Sequence, residues 1–227
     1  DEQNGWEFLW QNNGDGNYRD ISDSVELEPF KDSDRDTLAN HYSFTAIFAD
    51  INLDQYPDLL VASDWSTSQV LLNQQGASFT DNTQIAVITD RAGMGAAVSD
   101  YDNDGDLDWF VTAIGDTRDE YLDIGLLNGN RLYQNEGDGN FINMTDYAGV
   151  KQGYWAWGAC FADVNNDGYD DLFIVNGYDG WTEEQSHNDY FDPFTNTPSL
   201  LYINQQDGTF VEQAIELGEV KEQSVLK

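Results

Sequence analysis

One acidic phrase returns three times along the 227 residues, and a chain that repeats itself in this way has to fold as a series of like units. It reads DINLDQYPD from Asp50 to Asp58, DYDNDGDLD from Asp100 to Asp108 and DVNNDGYDD from Asp163 to Asp171. A short apolar stretch precedes each copy (Phe44 to Ala49, Gly95 to Ser99, Gly158 to Ala162), and LLVA, WFVTA or LFIVN follows. A second phrase comes after each loop: VLLNQQGASF from Val70, RLYQNEGDGNF from Arg131 and LLYINQQDGTF from Leu200. A fourth copy of this second phrase, FLWQNNGDGNY from Phe8 to Tyr18, has no acidic loop before it. The closing aromatics Tyr18, Phe79, Phe141 and Phe210 stand 61, 62 and 69 residues apart.

Each unit therefore contains four strand-like segments separated by turns rich in Gly, Asn and Asp. In the second unit they fall near 96–99, 107–112, 131–134 and 141–144, with Asn135-Glu-Gly-Asp-Gly139 suited to a tight hairpin because its glycines accept positive φ. About 60 residues forming a four-stranded antiparallel sheet is a propeller blade. The expected fold is all-β, a β-propeller of four-stranded antiparallel blades, with about three and a half blades present. Its parts are the end of a preceding blade (1–20), blades at 43–83, 93–146 and 156–214, and a tail or further blade start (218–227). Helical periodicity is absent apart from short stretches at 22–40 and 183–190 that could hold a turn of helix.

Composition narrows the chemistry. With 43 acidic residues against 9 basic ones, the formal charge is −34, which excludes the basic footprint a nucleic-acid binder needs. Apolar runs as short as Leu172 to Val175 exclude a membrane-spanning helix. The 40% hydrophobic and 14% aromatic content nevertheless supplies a core. One cysteine and two histidines leave little for a soft or borderline metal, so any ion should be hard and oxygen-bound.

The acidic phrase suits such an ion. Oxygen side chains occupy positions 1, 3, 5 and 9, and alternate positions of a tightly curled loop point inward. The candidate ligands are Asp50, Asn52, Asp54 and Asp58; Asp100, Asp102, Asp104 and Asp108; and Asp163, Asn165, Asp167 and Asp171. Carbonyls at position 7 (Tyr56, Asp106, Tyr169) would complete each cage. Many-carboxylate, irregular oxygen cages favour Ca2+ over Mg2+, and about three ions are expected. An EF-hand needs Glu at position 12, where Val61, Val111 and Ile174 stand, so a strand-loop-strand site is expected instead. Four carboxylates make the second loop the tightest. The first should be weakest, because Gln55 replaces Gly105 and Gly168 at position 6. The alternative is that these are solvated polar turns.

These residues resemble the FG-GAP/VCBS repeat, the blade unit of integrin α-subunit propellers, and most closely the ASPIC/UnbV and cartilage-acidic-protein group. The resemblance lies in Asn130-Arg-Leu-Tyr-Gln-Asn-Glu-Gly-Asp-Gly-Asn-Phe141, Thr145, Ala148-Gly-Val150, Trp157-Gly158, Phe161 and Asp163. It implies a calcium-stabilised, usually seven-bladed propeller in an extracellular, cell-surface or periplasmic protein.

Three and a half blades leave open sheet edges, so the rest of a longer chain, or another subunit, is expected to complete the ring. Antiparallel connectivity puts the long links on the face opposite the acidic loops. There Tyr121, Tyr178, Trp181, Tyr190, Phe191 and Phe194 either meet a protein or glycan ligand or pack the links down on the blades. Trp155 and Trp157 are expected to pack between blades, and Cys160 to be a buried small apolar residue. The expected role is a non-enzymatic adhesion, recognition or assembly module. The alternatives are a subunit of a surface layer or filament, and the propeller of a polysaccharide-active enzyme.

Overall fold

A strand buried on both faces must be apolar at consecutive positions rather than alternate ones, and Asp108-Trp-Phe-Val-Thr-Ala113 is such a strand, with all six residues buried. It lies at the centre of a computed structural model that describes residues 8–25, 42–115, 127–178, 194 and 197–214.

Fourteen strands form among the described residues. A hairpin of β1 (Trp10–Asn12) and β2 (Tyr18–Asp20) comes first. Three four-stranded antiparallel meanders follow. The first contains β3 (Ser43–Ala49), β4 (Asp58–Ser63), β5 (Gln69–Asn73) and β6 (Phe79–Asp81). The second contains β7 (Gly93–Ser99), β8 (Asp108–Ala113), β9 (Arg131–Asn135) and β10 (Phe141–Asn143). The third contains β11 (Ala156–Ala162), β12 (Asp171–Asn176), β13 (Leu200–Asn204) and β14 (Phe210–Glu212). The described residues thus form an all-β partial propeller of three four-stranded blades and one separate two-stranded hairpin. One helical turn, α1 (Thr145–Ala148), follows β10 where the sequence suggests only the end of a strand.

Adjacent blades share cores, and the period-two geometry of β8 divides them. Trp109 and Val111 face the first blade, joining Ile51, Leu60 and Val70. Phe110 faces the third, joining Leu172, Ile174 and Tyr202. Along the innermost strands β7 packs against both β3 and β11. There Gly95 permits the closest approach: a Cβ at this position would lie 2.5 Å from the Trp157 carbonyl oxygen and 2.6 Å from Gly158 Cα.

The two junctions fill one position by opposite means. In the first, Ser68 Oγ accepts the Ser63 N–H and donates to Asp90, whose fully buried carboxylate also accepts from the Tyr133 hydroxyl. In the second, the longer Asn130 accepts the Ala113 N–H and reaches the Val150 and Gln152 carbonyls. Opposite it stands Gly153, where a Cβ would lie 2.5 Å from the Asn130 amide. Burial pushes the Asp90 carboxyl up, and hydrogen bonds from Ser68 and Tyr133 oppose that shift.

The outward faces of the end blades correct two expectations. Cys160 is exposed on β11 rather than buried, because Ala159 and Phe161, not Cys160, turn toward the second blade. Trp157 is 47% exposed and donates its indole N–H to the Gly177 carbonyl instead of packing between described blades. Phe44 and Phe48 are likewise exposed on the first blade.

Gly95→Ala is expected to force the second and third blades apart and to cost on the order of 2 kcal/mol. Gly158→Ala, whose Cβ would meet only Val175 at 3.3 Å, serves as the control. Equal thermal melts for the two variants would refute the close-approach role.

Candidate metal centres

Each acidic loop joins the first two strands of a blade and is built on its own carboxylates. The position 1 side chain holds the turn closed with both oxygens. Asp50 accepts the N–H groups of Asp54 and Gln55, Asp100 those of Asp104 and Gly105, and Asp163 those of Asp167 and Gly168. The position 5 carboxylate then accepts the N–H of position 7: Asp54 from Tyr56, Asp104 from Asp106, Asp167 from Tyr169. Position 3 (Asn52, Asp102, Asn165) accepts the position 5 N–H in each loop.

The tight turn demands left-handed backbone at positions 4 and 6. Leu53, Asn103 and Asn166 have φ near 60°, while Gln55, Gly105 and Gly168 have φ of 73°, 102° and 90°. Only glycine adopts this region without steric cost, so loop 1 is strained at both Leu53 and Gln55.

Position 9 differs from the rest. Asp58, Asp108 and Asp171 are the first residues of β4, β8 and β12 and are at most 1% exposed. Burial pushes all three carboxyls up, Asp108 to about 8; the nearby Asp102 and Asp104 charges add to the shift, and the Asn135 and Tyr101 N–H groups oppose it. A buried carboxylate of this kind gains from a cation beside it.

In loop 2 one oxygen each from Asp100, Asp102 and Asp108 lie within 4.8 Å of one another. That set can share a single ion. In loops 1 and 3 the position 3 amide instead donates to position 5, Asn52 to Asp54 at 3.4 Å and Asn165 to Asp167 at 3.0 Å. Gln206 also donates to Asp167, and the Tyr169 N–H foremost among these bonds holds the Asp167 carboxyl below its usual value. Gln134 donates to Asp102 in loop 2. These amides, Gln134 on β9 and Gln206 in the turn after β13, border the loops, and their sequence signal is weak because a surface Gln is ordinary.

The FG-GAP-like repeat family matches residues 50–111 and 115–174, just over half of the chain. The chain belongs to the FG-GAP-like repeat family. The first matched FG-GAP repeat runs from the opening of loop 1 into β8, so a sequence repeat straddles two blades. A lectin of Agrocybe aegerita, solved as recognising non-reducing terminal N-acetylglucosamine, is similar at 16% identity with a TM-score of 0.46. The similarity covers 90% of this chain and 44% of the lectin, so the chain spans less than half of that protein's length. A search of curated proteins gave no match.

Of the aromatics expected on the face opposite the FG-GAP acidic loops, two lie among the described residues, and both pack inward. Tyr178 stacks on Trp155 with ring centroids 4.8 Å apart. Phe194, 1% exposed, meets the same indole edge-on at 5.5 Å, so it is a core residue and not a ligand contact. Tyr121, Trp181, Tyr190 and Phe191 lie outside the described residues.

Because Gln55 carries steric strain at φ 73°, Gln55→Gly should stabilise the protein by about 1 kcal/mol. Denaturant melts would show this as a raised midpoint with unchanged slope; an unaltered or lowered midpoint would contradict the strain at this turn.

Proposed function

We propose that the three loops bind Ca2+, about three ions in all, and that the chain is a calcium-stabilised propeller module working outside the cytoplasm in non-enzymatic adhesion, recognition or assembly. The observation that carries this reading is the convergence of oxygens from Asp100, Asp102 and Asp108 in loop 2, the last of them a buried carboxylate that burial pushes up. Loops 1 and 3 repeat the backbone geometry and the buried position 9, with one carboxylate fewer. The ligand sets are Asp50, Asn52, Asp54 and Asp58; Asp100, Asp102, Asp104 and Asp108; and Asp163, Asn165, Asp167 and Asp171. The position 7 carbonyls of Tyr56, Asp106 and Tyr169 complete them.

Calcium would neutralise the clustered charge at the root of each blade and fix the turn between its first two strands. An all-oxygen site of this type needs only modest affinity where free calcium is plentiful, which favours an extracellular, cell-surface or periplasmic setting. Among the described residues no helix is long and apolar enough to cross a membrane. Excess EGTA should lower the melting temperature strongly, and titration calorimetry should count about three ions. An unchanged melt together with no calcium uptake would overturn the proposal.

The two end faces support further blades as partners, supplied by a longer chain or by another subunit. Phe44 and Phe48 at one end, and Trp157, Cys160 and Val175 at the other, leave apolar surface uncovered. If another copy supplies the blades, light scattering should give a mass above 25.6 kDa for the calcium-loaded protein. A stable, dispersed monomer of that mass would rule out closure by self-association.

A further inference from the structure

The three loops are not separate in the hydrogen-bond pattern. Each position 9 carboxylate is gripped on both oxygens by backbone N–H groups. Asp58 accepts from Ile51 and Asn73, Asp108 from Tyr101 and Asn135, and Asp171 from Val164 and Asn204. The second donor in each pair is the asparagine that ends the third strand of the blade.

In the second and third blades the side chain of that asparagine crosses to the preceding blade. Asn135 Nδ2 donates to the Ile51 carbonyl at 2.7 Å, and Asn204 Nδ2 to the Tyr101 carbonyl at 2.8 Å. Ile51 and Tyr101 are the second residues of loops 1 and 2, and their own N–H groups already hold the position 9 carboxylates there. One relay therefore runs Asp58–Ile51–Asn135–Asp108–Tyr101–Asn204–Asp171. All seven residues are at most 3% exposed, so water does not replace its bonds.

Among the described residues a second connection joins loops 2 and 3. Asn103 Nδ2 donates to the Gly168 carbonyl at 3.0 Å, and Ser99 Oγ to Asp170 at 2.5 Å. The peptide that accepts from Asn103 is the one whose N–H, on Tyr169, holds Asp167. At the corresponding places before loop 2 the chain has Leu53 and Ala49, which lack a donor.

Resting on the calcium reading above, we propose that the loops bind Ca2+ with positive cooperativity, and that loops 2 and 3 are coupled more tightly than loops 1 and 2. An ion that fixes Asp108 fixes the Tyr101 peptide, which sets the Asn204 amide and through its backbone the Asp171 carboxylate. The neighbouring cage then loses less freedom when it fills, and the coupling is reciprocal. Coulomb repulsion between bound ions has the opposite sign, so the sign of the coupling separates the relay from simple electrostatics.

Titration calorimetry on the full chain tests this with two variants. Asp104→Ala, in the exposed part of loop 2, should remove one ion and weaken another of the remaining sites on the order of fivefold or more. Ser99→Ala/Asn103→Gly leaves every proposed carboxylate ligand in place; it should keep about three ions while weakening one of them. Thermal melts at saturating calcium establish that both variants are folded. Unchanged or tightened affinities at the remaining sites in Asp104→Ala would overturn the coupling while leaving the calcium reading intact. A parent protein that takes up no calcium would overturn both.

Discussion

Each blade is anchored by a carboxylate placed where a carboxylate is costly. Asp58, Asp108 and Asp171 open the second strand of their sheets, almost fully removed from water, and each ties a loop residue to the end of the third strand. Replacing any of them with an apolar residue would relieve the burial and orphan two backbone N–H groups at once. The strand pairing, the loop and the contact to the next blade all converge on this position, so the fold and the candidate site cannot be varied independently.

Charge pairing does not offset this arrangement. Among the described residues one salt bridge is seen, Lys151 to Asp146 at 3.4 Å, with both side chains largely exposed. Exposed pairs of this kind stabilise little. What holds the blades together is apolar contact and close backbone approach: Phe110 and Trp109 on opposite faces of β8, and Gly95 against Gly158 at the inner edge. Three divalent ions would offset only six of the 34 net charges. They would do so where the carboxylates are packed most closely, and the rest of the acidity remains a property of the surface.

The repeat made the blades and the loops legible from the sequence. Position 6 was recognisable as a sharp turn because Gly105 and Gly168 stand there, and Gln55 adopts the same left-handed backbone at a cost. Residues whose environment depends on a neighbour outside the repeat were not legible. Cys160 has the neighbours of a core residue along its strand, yet it is exposed because no described blade covers that face. Phe194 sits in an aromatic-rich link and reads as a surface contact until Trp155 is found beneath it. The strand asparagines were equally hidden. Asn135 and Asn204 open what read as polar hairpins, and only the stacking of blades shows that their amides belong to the preceding loop.

The order of the loops acquires a rationale from the relay. Loop 2 has four ligand-position carboxylates, and its left-handed positions hold Asn103 and Gly105, residue types that tolerate that backbone better than Leu53 and Gln55 do. It also lies between the other two. A strong site at one end of a chain of hydrogen bonds can assist a single neighbour, whereas a strong site in the middle assists both. Loop 1, with strain at Leu53 and Gln55 and no donor equivalent to Asn103, gains its inter-loop support through Asn135. Loop 3, where Asn165 and Gln206 already occupy Asp167, has the second connection through Asn103 and Ser99. The more heavily engaged neighbour thus has the stronger tie to the middle loop, as a shared mechanism of ordering would require.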